Sequence, residues 1–140
     1  MLAIVDAGPL LAAANAADPD HARCLAVLGR RDLQLVIAAP AVAEVSYLLG
    51  ARAGPTAEAA FLRGLAAYDV EAPRGEDWLR VAELVERYAD LSLGGTDASI
   101  VALAERLDTD VVVTLDRRHF GMVRPRHRAA LRLLPEQESH

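Results

Sequence analysis

Apolar residues fall along this chain in two kinds of run that alternate nearly from end to end. "LAIVD" (2 to 6) is a short continuous apolar stretch, as expected of a strand covered on both faces, and "GP" turns the chain into "LLAAANAA". "DPDHARCLAVLG" predicts a helix entered through Asp and Pro and left at Gly29. "LQLVIAAP" (33 to 40) predicts a second strand, after which "AVAEVSYLLGAR" sets Val42, Val45, Leu48 and Leu49 at helical spacing. Beyond Gly54 and Pro55, "TAEAAFLRGLAAY" and "EDWLRVAELVERYADL" predict two amphipathic helices, joined through "DVEAP" as a candidate third strand. Trp78, Val81, Val85 and Tyr88 share one face of the later helix, so Trp78 is expected in the core. "TDASIVALAERL" predicts a helix with Thr96 as N-cap, "DVVVTLD" a strand, and "ALRLL" (130 to 134) the last strand.

This alternation, without repeats, low-complexity tracts or linkers, predicts an α/β fold: a three-layer α/β/α sandwich on a mostly parallel central sheet of about five strands. With 140 residues, 53% of them hydrophobic, a single domain over 1–140 can bury a core. Cys24 has no second cysteine to pair with, no stretch reaches the roughly 18 apolar residues of a membrane span, and the N-terminus carries Asp6 and no basic leader. A cytoplasmic protein with no membrane partner is expected.

Charge changes the picture more than composition does. The formal net charge is −5, yet six of the 15 basic residues lie between 117 and 135, where there is no acid, while the first 116 residues hold 18 of the 20 acids. Such clustering is the footprint of a nucleic-acid binder or, equally, of a solvated face. Every basic residue is Arg, which removes mechanisms that need a lysine.

Four acids fall at the junctions of this outline. Asp6 ends the first strand, Glu44 lies early in the helix after the second, Asp97 opens a helix and Asp116 ends "VVVTLD". In an open parallel sheet these junctions meet at the carboxyl edge, where ligands bind at the topological switch point. Taken alone, Asp97 also reads as a helix N-terminal charge and Asp116 as a cap of the next short helix. Asp6 interrupts an apolar run and Glu44 sits among residues expected to be buried, where an unpaired charge is costly. Two carboxylates about 5 Å apart repel by roughly 3 kcal/mol at an effective dielectric of 20, so a converging quartet calls for a cation. Oxygen donors favour Mg²⁺ or Mn²⁺ over zinc. Thr114, two residues before Asp116, faces the same side of a strand and can bond a water held by that cation.

Together "IVDAGPLLA", "APAVAEVSYLL", "GGTDASIVALAERL" and "VVVTLDRRHF" resemble the PIN-domain ribonucleases, and more closely the VapC toxins of bacterial toxin–antitoxin pairs, with actinobacterial wording in "DPDH" and "LDRRHF". The resemblance implies that Asp6, Glu44, Asp97 and Asp116 are the metal-binding and catalytic acids, with Thr114 at a position often Thr or Ser. It implies a Mg²⁺- or Mn²⁺-dependent endoribonuclease that leaves a 5′-phosphate and a 3′-hydroxyl, cuts tRNA or the sarcin–ricin loop of 23S rRNA, and so stops translation and growth. The implied partners are RNA, a VapB-like antitoxin that sets an Arg or Lys among the acids, and a second copy of the chain. Gly8 departs from the pattern, standing where a small polar residue is usual. No histidine is required as a base, so His21, His119, His127 and His140 read mainly as surface or packing residues. Arg117 and Arg118, with His119 beside them, are the expected RNA contacts, positioning phosphates rather than reading bases. A non-toxin RNA-processing PIN nuclease and a catalytically silent PIN-like binding module are the alternatives. A receiver domain needs a lysine, and a haloacid-dehalogenase-type phosphatase needs an Asp at position 8; the chain has neither.

Overall fold

In a computed structural model, which describes residues 1–137, strands and helices alternate almost throughout. The order is β1 (Leu2–Val5), α1 (Ala7–Ala13), α2 (His21–Leu28), β2 (Gln34–Ala38), α3 (Ala39–Ala53), α4 (Pro55–Gly64), β3 (Asp69–Glu71), α5 (Asp77–Arg87), α6 (Gly95–Arg106), β4 (Val111–Val113), α7 (Arg117–Met122) and β5 (Arg132–Leu134). The five strands form one wholly parallel sheet in the order β3-β2-β1-β4-β5.

The sheet forms here because its central strands are apolar on both sides. Ile4, Val36 and Val112 face one layer, in which α5 and α6 contribute Val81, Leu84, Ile100 and Leu103. Their neighbours Ala3, Val5, Ile37, Val111 and Val113 face the opposite layer, where α2 supplies Val27. Each fully buried Val or Ile contributes about 1.5–3 kcal/mol of transfer free energy, which is what drives a three-layer closure. α6 runs through the middle of its layer, buried continuously from Ala98 to Ala104. Gly54, at φ +88°, ends α3 and opens α4, a conformation that a side chain would strain.

Two local expectations change. Trp78 is 54% exposed, because α5 packs on α6 through Arg80, Val81 and Leu84 and the inward stripe turns away from residue 78. Thr96 does not cap α6; the helix begins at Gly95 with Gly94 as N-cap and no side-chain cap bond. His140 lies outside the described residues.

The chain runs from β1 outward to β2 and β3, then returns to lay β4 on the other side of β1. The winding therefore reverses between β1 and β4, and the carboxyl ends of those two strands flank the switch point.

Candidate active site

Asp6 leaves β1 at that switch point. Its backbone N–H donates to the Val113 carbonyl at 2.9 Å, continuing the ladder one step beyond the strand. Its side chain is N-cap of α1, where Oδ1 accepts from the Ala7 N–H at 2.8 Å. Oδ2 accepts from the Thr114 hydroxyl, also at 2.8 Å. Thr114 is buried, and its oxygen in turn accepts from the Asp116 N–H at 3.0 Å. That local bond draws the chain out of β4, so the strand stops at Val113 and Asp116 does not end it as expected. Asp116 instead caps α7, with Oδ1 accepting from the His119 N–H at 2.9 Å. Thr114 thus spends its one proton on Asp6 and ties the two acids to each other.

Asp97 comes from the first turn of α6 and completes the group from the helical layer. Glu44 lies in the second turn of α3 and is solvent-exposed rather than buried as expected, because α3 turns Ala41 and Val45 to the core instead. The tight part of the cluster is Asp97, Asp116 and His119, whose ligand atoms all lie within 4.8 Å of one another. His119 was expected at the surface or against RNA, but its Nδ1 sits 2.6 Å from Asp116 Oδ2 and 3.3 Å from Asp97 Oδ2. Its Nε2 donates to the Leu91 carbonyl at 2.9 Å.

The electrostatics follow from crowding like charges where water is scarce. Burial, then the charges of Asp6 and Asp116, push Asp97 up to about 6, against a partial offset from His119. Burial also raises Asp6, more than its bonds from Thr114 and Ala7 lower it, with the charge of Asp116 adding to the rise. Partial desolvation, then the charge of Asp6, raise Glu44. Burial opposes the charged form of His119, but the hydrogen bond and charge of Asp116 outweigh it and hold the imidazole above its usual value. Carboxylates held at this density, with one imidazole among them, suit a hard or borderline divalent cation.

Beside Asp116 a cleft of about 740 Å³ is lined by Arg23, Arg117 and Arg118. Arg118 is exposed, whereas the Arg117 guanidinium donates to the carbonyls of Leu133, at 3.4 Å, and Pro135. Arg23 approaches from α2, where it pairs with Asp20 at 2.8 Å. The rest of the basic segment is largely neutralised: Arg126 pairs with Glu83, Arg128 with Asp108 and Arg132 with Glu136. A Cβ at Gly8 would meet Leu115 at 3.5 Å, an ordinary contact, so packing does not demand the glycine there.

The PIN domain family model matches residues 3–134, nearly the whole chain. Ribonuclease VapC26 of Mycobacterium tuberculosis (strain ATCC 25618 / H37Rv) is 40% identical over 124 residues, covering 87% of this chain and 92% of that protein. The chain belongs to the PIN-domain family, as a VapC ribonuclease. Among solved structures, the sarcin–ricin loop cleaving toxin VapC20 of Mycobacterium tuberculosis superposes with a TM-score of 0.74 at 19% identity, covering 82% of this chain and 90% of that one. VapBC2 from Rickettsia felis, bound to a DNA fragment from its promoter, gives a TM-score of 0.71 at 15% identity over 95% of this chain and 98% of that one. At those identities the two structures speak for the fold, and VapC26 for the family. Among the described residues no helix of this VapC ribonuclease is long and apolar enough to cross a membrane.

Of the residues expected from the sequence, Asp6, Thr114, Asp97 and Asp116 converge, Glu44 borders them, and of the arginine pair only Arg117 spends its head group on protein carbonyls among the described residues. Arg23 was missed as a site member, and His119 was expected beside the RNA rather than among the acids. His119 has a sequence signal, since it lies one helical turn beyond Asp116, but spacing alone does not say that the ring faces the acids. Arg23 has none, because only the packing of α2 brings it to the cleft.

Proposed function

We propose that this chain is the toxin of a VapBC pair, a divalent-cation-dependent endoribonuclease acting on structured translational RNA, either tRNA or the sarcin–ricin loop of 23S rRNA. The observation that carries the reading is the convergence of Asp6, Asp97 and Asp116 at the switch point, with a single imidazole to set against them. These three acids and Glu44 would hold the cation, Mg²⁺ or Mn²⁺. When bound, it supplies an activated water and neutralises charge developing on the scissile phosphate. Thr114 fixes the Asp6 carboxylate and couples it to the Asp116 backbone, so that both acids keep one orientation. Arg118 and Arg23, which line the cleft beside Asp116, would contact the flanking phosphates.

The partner is a VapB-like antitoxin. An apolar cleft of about 360 Å³ between α1, α2 and α4, lined by Leu10, Leu25, Leu28, Phe61 and Tyr68, adjoins the helix that Asp6 caps and suits an amphipathic helix of that antitoxin. A basic side chain from its tail among the acids would compete with the cation. The toxin acts in the cytoplasm, as a homodimer for which the exposed Trp78 and Leu79 offer apolar surface.

The test is to incubate the full chain with total RNA in Mg²⁺, in Mn²⁺ and in EDTA and to map new 5′-phosphate ends, with Asp6→Asn alongside. Discrete ends that need the cation and Asp6 are expected. Cleavage that persists in EDTA, or equally in Asp6→Asn, would refute the assignment.

A further inference from the structure

We propose that His119 is itself a ligand of the divalent cation, through Nδ1 beside Asp97 and Asp116, and that this nitrogen tilts the site toward Mn²⁺ or a later first-row ion over Mg²⁺. The inference rests on the cation-dependent reading above and adds a donor to it.

Three features of the ring carry it. The first is its outer hydrogen bond: Nε2 donates to the Leu91 carbonyl at 2.9 Å, which fixes the rotation of the imidazole and leaves Nδ1 as the nitrogen turned to the acids. A backbone carbonyl on the far ring nitrogen is the usual support of a metal-ligating histidine, because it orients the ring and raises the basicity of the donor. The second is spacing. In the cation-free protein Nδ1 donates to Asp116 Oδ2 at 2.6 Å and lies 3.3 Å from Asp97 Oδ2, so a cation that takes this nitrogen displaces its proton to solvent and needs the three atoms to shift only to the ~3 Å between adjacent ligands of an octahedral ion with bonds of about 2.1 Å. The third is anchoring. The backbone N–H of His119 is held by Asp116 Oδ1 at 2.9 Å, and the adjoining Phe120 is 1% exposed, so the start of α7 cannot swing the ring away without unpacking the core.

An all-oxygen pocket suits Mg²⁺, which keeps its waters and binds few protein donors. An imidazole donor adds little for Mg²⁺ and more for ions further along the Irving–Williams order, beginning with Mn²⁺. The residue that makes this site unlike a plain carboxylate cluster is therefore the one that also sets its ion preference. A histidine serving only as counter-charge would stabilise the acids in the empty protein and leave the bound ion with oxygen ligands alone, and this difference is open to measurement.

Mn²⁺ bound to the full chain is examined by pulsed electron paramagnetic resonance, with natural-abundance and ¹⁵N-histidine-labelled protein. Mn²⁺ and Mg²⁺ affinities are titrated in the wild type and in His119→Ala. A nitrogen coupling that switches from the ¹⁴N to the ¹⁵N pattern on labelling and vanishes in His119→Ala is expected. Mn²⁺ affinity should fall by at least the ~10-fold that loss of an outer-shell partner causes, and Mg²⁺ affinity by less. The labelled wild type gives its answer even if the variant fails to fold. Mn²⁺ bound without nitrogen coupling, or an unchanged ratio of Mn²⁺ to Mg²⁺ affinity in a folded variant, would overturn the inference and leave the cation-dependent nuclease standing. Failure of either ion to bind the wild type would overturn both.

Discussion

Two charged clusters lie within this small molecule, and they are built on opposite principles. At the seam between α5 and α6, Arg80 is 8% exposed and forks onto Glu105 at 2.8 and 2.9 Å, with a third bond to Glu83 at 2.7 Å. Arg106 reaches Asp77 and Glu71 nearby, at 2.7 and 3.2 Å. Burial opposes the Glu105 charge there, but the bidentate Arg80 outweighs it and holds the carboxyl below its usual range. At the switch point the carboxylates face one another instead, and Asp97 is pushed up to about 6. The seam has a cation for each buried anion and serves to hold the helices together. The switch point leaves anionic charge uncompensated, which weakens the empty protein and creates affinity for a cation.

The largest expected effect breaks the balanced cluster. Arg80→Ala removes the bidentate partner of the largely buried Glu105, leaving it only the Arg126 N–H at 2.7 Å, and should destabilise the fold by about 3–5 kcal/mol, a drop of roughly 10 °C or more in melting temperature. The folded fraction should still cut RNA at the wild-type rate. A melt shifted by only a degree or two would mean that the seam is a surface network of little weight.

At the unbalanced cluster the same class of change should do the reverse. Asp97→Asn should cut ribonuclease activity by ~10²–10³-fold, about 2.7–4 kcal/mol in the barrier, and remove toxicity on induction. In EDTA its melting temperature should equal or exceed that of the wild type. An Asn variant that stays toxic at equal expression would remove Asp97 from the active site, and one that melts lower in EDTA would show that Asp97 is not held against repulsion.

The two clusters should also titrate in opposite senses. Because the folded-state value of Asp97 lies above its ordinary 3.8, its contribution is full at low pH and is lost as pH rises from about 4 through about 6. The cation-free protein should thus gain on the order of 1–3 kcal/mol between pH 7 and pH 4.5 from this group, and Asp97→Asn should not. Glu105, held below its ordinary 4.5, contributes fully above that value and loses its contribution as pH falls further. Melts in EDTA across this range, repeated with saturating Mn²⁺, test the point. A wild-type profile that matches the Asn variant would show that Asp97 is not under repulsion.

The smallest effects separate the two arginines. Arg118→Ala should weaken RNA binding across sequences and lower the salt slope by about 1, with no change in melting temperature. Arg117→Ala, which removes bonds to the Leu133 and Pro135 carbonyls, should cost about 1.5–3 kcal/mol of stability and alter the salt slope less. An equal loss of RNA affinity in both would place Arg117 on the substrate as well.

Much of this molecule could be read before folding was considered. The parallel sheet followed from apolar runs such as "LAIVD" and "VVV", since a strand buried on both faces admits few polar residues. Asp6 stood out because it interrupts such a run, whereas Asp97 and Asp116 each also read as a helix-end charge and gained weight only as members of the quartet. Glu44 stood out for a reason that failed, its apolar neighbours, and borders the site from an exposed position instead.

What remained illegible depends on contacts between distant segments. Nothing local pairs Arg80 with Glu105, 25 residues away, or turns His119 onto the carbonyl of Leu91, 28 residues away. Trp78 has the periodicity of a core residue and the exposure of a surface one, because the rotation of α5 is set by what α6 offers it. Periodicity is a property of one segment and determines which elements form and which of their faces can be apolar. The rotation of each helix, the partner of each buried charge and the direction of each ring are settled only when the layers close, because packing and electrostatic energies depend on distances between segments the chain brings together last.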